Sequence, residues 1–305
     1  MSLIEKAVER LDLLKQAAGE SASEDLSAAA TPVAHGRKPL GRMPAPEVRM
    51  GEPMSRIIEI DLKRLHNAGM VTPDHPRSTI AEEYRVIKRP LLKNASLKSP
   101  SRVKDGNLIM VTSALPGEGK SFTALNLAMS MAMELDHTVL LVDADVSKPS
   151  VLRNLGLPPE RGLMDVLLDP DMVLPDVLLR TNIEKLAILP AGNTSQRATE
   201  VLASEGMNRL LEEMANRYSD RIIVFDSPPL LVTTEARALA AHMGQIVLVV
   251  EAERTTHSAI KQAVSMIDSC PVKMTLLNKS ATQGPAGYYG YGYGYEAESN
   301  DVRAA

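Results

Sequence analysis

The chain has 305 residues, and 34 Lys plus Arg against 38 Asp plus Glu leave a formal charge of −4. That balance argues against a nucleic-acid binder, which is usually basic, and no apolar run approaches the ~18 residues that span a bilayer. The one cysteine, Cys270, excludes an intrachain disulfide or a thiol cluster for zinc and fits a reducing compartment.

Residues 2–18 set Leu3, Ile4, Ala7, Leu11, Leu14 and Ala18 near one helical face, so an amphipathic helix is predicted over 1–18. Its charges are mixed where a signal peptide would be apolar, and the expectation is a cytosolic chain. From 19 to 53 the composition shifts to Ala, Ser, Gly and Pro, with Pro32, Pro39, Pro44, Pro46 and Pro53 breaking any regular element, which reads as a linker. Residues 54–98 regain apolar periodicity and predict a short element and a helix broken at Pro90, the lead-in to a domain reaching residue 280.

Beyond Asn107, β-branched runs at 108–113, 138–143, 186–191, 221–226, 245–250 and 273–278 alternate with helical stretches at 120–136, 149–155, 162–168, 199–218, 234–242 and 255–268. Continuous apolar strands between amphipathic helices imply an α/β, doubly wound, mostly parallel sheet covered on both faces. Ligands of such sheets bind at the carboxyl ends of the strands.

The first of these strands runs into Ala114-Leu115-Pro116-Gly117-Glu118-Gly119-Lys120-Ser121 and then Phe122 and a helix-forming run. This is a P-loop: Gly117 and Gly119 let backbone N–H groups curl around phosphate, Lys120 reaches the β and γ phosphates, and Ser121 ligates Mg²⁺. Residues 116–122 are the predicted nucleotide cradle. Ala114 stands where such loops usually carry their leading glycine. Asp143 and Asp145 follow the second strand and Asp226 ends the fourth, an arrangement that suits an octahedral magnesium held by oxygens. A strand-end Asp that merely caps the next helix is the competing reading for each of them.

The last residues, 281–305, hold Tyr288, Tyr289, Tyr291, Tyr293 and Tyr295 interleaved with glycine, which predicts a mobile tail. Ten residues separate Asn278 from Tyr288, so an extended tether spans about 33–36 Å. A low-complexity sticky segment is the plainer reading.

Taken together, ALPGEGKS, DADVSKP, VFDSPP and the tyrosine-rich tail make residues 78–295 resemble the bacterial tyrosine kinases, which use P-loop machinery of the Min/Par-like deviant Walker fold. The resemblance implies an ATP- and Mg²⁺-dependent kinase that phosphorylates its own tail tyrosines. Lys120 and Ser121 would then hold phosphate and metal, Asp143 would sit near the acceptor hydroxyl, and Asp145 and Asp226 would organise the metal. Min- and Par-type ATPases carry an extra lysine early in the loop; Ala114, Leu115 and Pro116 lack it. The family usually has Arg where this chain has Ser147, and the adjacent Lys148 cannot reproduce a bidentate fork. A surface carboxylate, with a pKa of about 4, is also a weak base for a phenol at about 10.

The family assembles rings through a Glu-x-x-Arg-x-x-Arg helix, matched here by Glu82, Arg85 and Lys88 in place of the second Arg. Five phosphotyrosines would add about −7.5 to −10 charge and expel the tail from an acidic site. The absence of a span implies a separately encoded membrane activator of the polysaccharide copolymerase type, which would hold the chain at the inner face of the plasma membrane. The stretches MSLIEKAVERL and AEEYRVIKRPLL resemble the subgroup of exosortase-linked exopolysaccharide loci, the exosortase-associated tyrosine autokinases. Two other readings remain open: a Min/Par-type ATPase switch, and a nucleotide-binding scaffold of weak activity.

Overall fold

The structure is a computed structural model that describes residues 56–96, 103–217 and 220–280. The chain divides between Gly51 and Glu52 into two units, and all described residues belong to the second. The predicted helix over 1–18, the linker and the tyrosine tail lie outside the described residues.

Eight strands form one sheet: β1 (Ile57–Ile58), β2 (Leu108–Ser113), β3 (Thr138–Asp143), β4 (Leu179–Thr181), β5 (Leu186–Leu189), β6 (Arg221–Asp226), β7 (Gln245–Glu251) and β8 (Val272–Asn278). Their order is β1-β4-β5-β3-β6-β2-β7-β8, parallel throughout except where β4 meets β5. Because β6 lies between β2 and β3, the ends of β2, β6 and β3 open side by side on one rim of the sheet.

The central strands are apolar on both faces, and their side chains alternate between two cores. Met110, Leu140, Val142, Ile223, Phe225 and Leu248 enter one; Ile109, Val111, Leu141, Val224, Val247 and Val249 enter the other. The period of two makes this division unavoidable for a doubly covered sheet. The first core is closed by α5 (Leu163–Leu168), α6 (Leu174–Val177), α7 (Ala198–Leu202), α8 (Glu205–Arg217), α9 (Glu235–Ala240) and α10 (His257–Met266). The second is closed by α1 (Leu62–Asn67), α2 (Thr79–Ala95), α3 (Lys120–Ala132) and α4 (Val151–Leu155). Residues 123–132 of α3 are all buried, since the helix lies between the sheet and α2.

The six predicted strands are present, with local differences. The strand expected over 186–191 stops at Leu189, because Pro190 has no N–H for the ladder and its carbonyl instead accepts from Leu163 N at 2.8 Å. The helix expected over 199–218 is two, and Ser204 caps the second with its Oγ on Met207 N at 3.3 Å. The first helix of the P-loop unit ends at Ala132, four residues short of expectation.

The predicted break at Pro90 does not occur: α2 runs through it. Pro90 and Val86, the residue whose carbonyl loses its donor, both face solvent, while Lys88, Leu91 and Leu92 are buried on the other side. Water can satisfy the orphaned carbonyl while packing holds the helix together.

β1 and β4 were too short for the sequence pattern to show. Asn182 accounts for them: its Oδ1 accepts from Ile60 N at 2.9 Å and its Nδ2 donates to Ile60 O at 3.0 Å. One side chain thus extends the β1–β4 pairing as a strand backbone would.

Candidate active site

The strand-to-helix turn after β2 has the geometry its sequence requires. Gly117 and Gly119 have φ of 87° and 100°, a region that side-chain-bearing residues rarely adopt. Among the described residues, the N–H groups of Gly117, Glu118 and Gly119 have no backbone or side-chain acceptor. They are available to an anion at the start of α3, where the helix end adds positive potential.

Glu118 contributes its main chain only. Its carboxylate is buried beneath the loop, where Oε2 accepts from Leu115 N at 2.7 Å and Oε1 accepts from Thr255 Oγ1. Pro116 is exposed on the loop's rim, and Phe122 turns away to pack against the second core.

Lys120 and the three acids do come together. Lys120 Nζ donates to Asp145 Oδ2 at 2.6 Å and stands 3.8 Å from Asp226 Oδ1. Asp143 and Asp226 are direct cross-strand partners at the ends of β3 and β6. The helix-capping alternative also proves correct in part. Asp143 Oδ2 accepts from the N–H groups of Ser150 and Val151, both at 2.9 Å, which fixes the start of α4. Its Oδ1 is buried without a partner, and so is Asp226 Oδ1 as regards hydrogen bonds. Ser150 Oγ completes the cluster on Asp226 Oδ2 at 3.2 Å.

These environments change the chemistry expected of the acids. Burial, and then the charge of Asp226, push Asp143 up to about 7 against the pull of the Val151 and Ser150 N–H groups. It is therefore a far better proton acceptor near neutrality than the surface carboxylate the sequence suggested. Burial also raises Asp226, opposed chiefly by Lys120.

The donor set suits magnesium. No three His, Cys, Asp or Glu side chains among the described residues form a metal cage by themselves. Magnesium asks for less: one or two carboxylates, with waters and substrate phosphates completing the octahedron. The buried oxygen of Asp226, with Ser121 beside it, meets that requirement, and Asp145 stands on the same lysine.

Beyond Asp143, away from the phosphate loop, a cleft of about 540 Å³ opens at the ends of β3 and β5. Asp143, Pro149, Leu152, Arg153, Pro190 and Asn193 line it. Asp165 secures its far wall by accepting from Asn193 N at 3.2 Å and from Asn193 Nδ2 at 2.5 Å. Ser147 and Lys148 are exposed on the turn after β3, whose shape is set by Lys148 N on Asp145 Oδ1 at 3.2 Å.

The residues proposed for assembly separate. Glu82 is exposed and Arg85 half-buried on α2, where they pair with each other, and Arg85 Nη2 also donates to Pro76 O at 3.0 Å. Lys88, expected beside them, is instead turned inward, where Nζ donates to Ser130 O at 2.5 Å and pairs with Glu134 at 2.8 Å. One helical turn beyond Arg85 the burial pattern of α2 has carried the side chain to the core side. The five tail tyrosines fall outside the described residues.

Sequence reasoning missed Ser150, Arg153, Asn193, Thr255, Asn278 and Lys279. The last two had a signal, since Asn278 ends an apolar strand and Lys279 follows it at the end where ligands bind; the others are brought in by neighbouring loops.

Residues 106–280 match the family described as an AAA domain. The putative tyrosine-protein kinase CapB of Staphylococcus aureus is 29% identical over 220 residues, covering 72% of this chain and 92% of that protein. The tyrosine-protein kinase YwqD of Bacillus subtilis is 31% identical over 225 residues, covering 72% and 91%. The crystal structure of the chimerical protein CapA2B2 superposes with a TM-score of 0.57 at 27% identity, covering 74% of this chain and 94% of that one.

Proposed function

This chain belongs to the bacterial P-loop tyrosine-protein kinases, and we propose from that premise that it transfers the γ-phosphoryl group of Mg·ATP to Tyr288, Tyr289, Tyr291, Tyr293 and Tyr295 of its own tail. The observation that carries the reading is Asp143, which lines the cleft on the side away from the phosphate loop and carries a buried, unpartnered oxygen, within one cluster with Asp226 and Lys120.

The free N–H groups of 117–119 take the phosphate oxygens, and Lys120 exchanges Asp145 for phosphate. Ser121, Asp145 and Asp226 would hold a magnesium ion, which would supply neutralisation of phosphate charge. The tyrosine ring enters between Pro149 and Pro190, with its hydroxyl at Asp143 Oδ1. The phenolic oxygen forms its bond to the γ phosphorus in line as the bond to the β–γ bridging oxygen breaks. ADP leaves, and the phenolic proton passes to Asp143. Since the transition state is loose, positioning does most of the work and the proton moves late.

The described residues end at Ser280, just past β8 at this rim, and an extended tether of about 33–36 Å from Asn278 to Tyr288 suits delivery to the site of a neighbouring copy. Glu82 and Arg85 form the assembly face; Lys88 supports it from inside by joining α2 to the end of α3. Accumulated phosphate repels the tail from the acidic cluster and disperses the assembly. No helix among the described residues is long and apolar enough to cross a membrane. A separately encoded activator of the polysaccharide copolymerase type, docking at the inner membrane face, fits this arrangement and links the cycle to exopolysaccharide export.

Incubation with γ-labelled ATP and Mg²⁺ tests the reading. Label on tail tyrosines supports it, and free phosphate alone favours an ATPase switch. Label that persists when all five tail tyrosines are Phe refutes the tail assignment. Glu82→Ala with Arg85→Ala, followed by mass measurement in solution, tests the assembly face.

A further inference from the structure

A loop that encloses an anion turns its N–H groups inward, so its carbonyls point outward, and each needs a donor there to hold its peptide plane. In this chain four of those carbonyls have protein donors. Ser113 Oγ donates to Leu115 O at 2.7 Å, Lys279 Nζ to Gly117 O at 2.7 Å, Asn278 Nδ2 to Glu118 O at 2.9 Å, and Thr123 N to Gly119 O at 2.9 Å. Ser113 and Thr123 are local to the loop. Asn278 and Lys279 come from 160 and 162 residues further along the chain.

Both distant donors are themselves fixed. Asn278 pairs with Glu251 across the β7–β8 ladder, and its carbonyl accepts from Ala252 N at 2.9 Å. Lys279 adopts a left-handed backbone, φ 57°, and its Nζ also meets Glu251 Oε1 at 3.1 Å. A Cβ added to Gly119 would lie 2.1 Å from Asn278 Nδ2, so the glycine and the amide fit only as a pair.

We propose that Asn278 and Lys279 are positioning residues that hold the Gly117–Glu118 and Glu118–Gly119 peptide planes with the Glu118 and Gly119 N–H groups facing the nucleotide phosphates. The inference rests on the reading of this loop as the Mg·ATP site. Without these donors the two planes are free to rotate, and ATP must order them as it binds. That cost falls on affinity, because the nucleotide-free fold never paid for the order it has lost.

The test is calorimetric titration of the full chain with Mg·ATP. Lys279→Met keeps the stem but removes the donor and weakens binding by about 5- to 10-fold, the worth of a half-exposed ammonium hydrogen bond. Asn278→Asp keeps the size but sets an acceptor against the Glu118 carbonyl, and weakens binding further. Lys279→Arg keeps a donor and restores affinity to within about twofold of the parent. The KM for ATP of Lys279→Met rises by more than its kcat falls, while its urea midpoint without nucleotide matches the parent's.

Unchanged affinity in both Lys279→Met and Asn278→Asp overturns the proposal. A loss matched by an equal loss of urea stability overturns it too, since the contacts would then serve the fold alone. A parent chain that binds no Mg·ATP would instead bring down the kinase reading on which this one rests.

Discussion

The phosphate loop and the acid cluster flank the same lysine, yet they are built to opposite standards. Around the loop, the carbonyls of Leu115, Gly117, Glu118 and Gly119 have protein donors, while the N–H groups of Gly117, Glu118 and Gly119 are left over. In the cluster, two buried carboxylate oxygens have no hydrogen-bond partner and like charges adjoin on neighbouring strands. In the proposed reaction the loop is in place before its ligand arrives, whereas the cluster keeps unpartnered oxygens for a cation and a hydroxyl. Binding would then depend chiefly on the loop and chemistry chiefly on the cluster.

Lys120 belongs to both regions, so Lys120→Met should show the largest effect. Tyrosine labelling in a radiometric assay is expected to fall by about 10²- to 10³-fold, the usual loss when a group that stabilises transition-state charge is removed. A drop of only a few-fold would mean that Asp145 holds this lysine for structural reasons.

Asp143→Asn separates the regions. The amide oxygen can still accept the Ser150 and Val151 N–H groups, so α4 stays in place. Labelling should fall by about 10²-fold, at the low end for a general base because the proton moves late. Mg·ATP affinity, measured by calorimetry, should remain near the parent's. A large loss of affinity would place Asp143 on the metal and erase the division drawn above.

Glu118→Ala is expected to do the reverse. It frees Leu115 N and Thr255 from the buried clasp, so affinity for Mg·ATP should weaken by about 5- to 10-fold, as for one or two lost hydrogen bonds. The rate at saturating ATP should change less.

The smallest effect is in stability, and its sign reports the strain. Asp143 sits at about 7 in the folded chain against an ordinary value of 3.8. The fold thus binds the proton more tightly than the unfolded chain, and this contribution is lost as pH rises from about 4 to about 7. Without nucleotide or magnesium, Asp143→Asn should melt a few degrees above the parent at pH 8, and the gap should close as the pH approaches 4. A variant that melts below the parent at pH 8 would show the carboxylate to be stabilising where it stands. Differential scanning calorimetry across that range decides between them.

Much of this was legible from local pattern. The P-loop, the Asp-bearing strand ends and the parallel sheet follow from spacing alone, because a strand buried on both faces must be apolar throughout and a phosphate turn must place glycine where φ is positive. Pro90 and Lys88 were not readable in this way. Whether a proline breaks a helix depends on whether water reaches the freed carbonyl, and whether a lysine faces a partner depends on which side of α2 meets α3. The role of Asn278 and Lys279 likewise depends on β8 closing against β7, which sets two residues against a loop far away in the chain. Sequence patterns carry what neighbouring residues dictate, such as periodicity and turn chemistry. The raised pKa of Asp143 arises from burial and from Asp226 on the neighbouring strand, and the shape of the phosphate loop from groups that only the folded sheet brings within hydrogen-bonding distance.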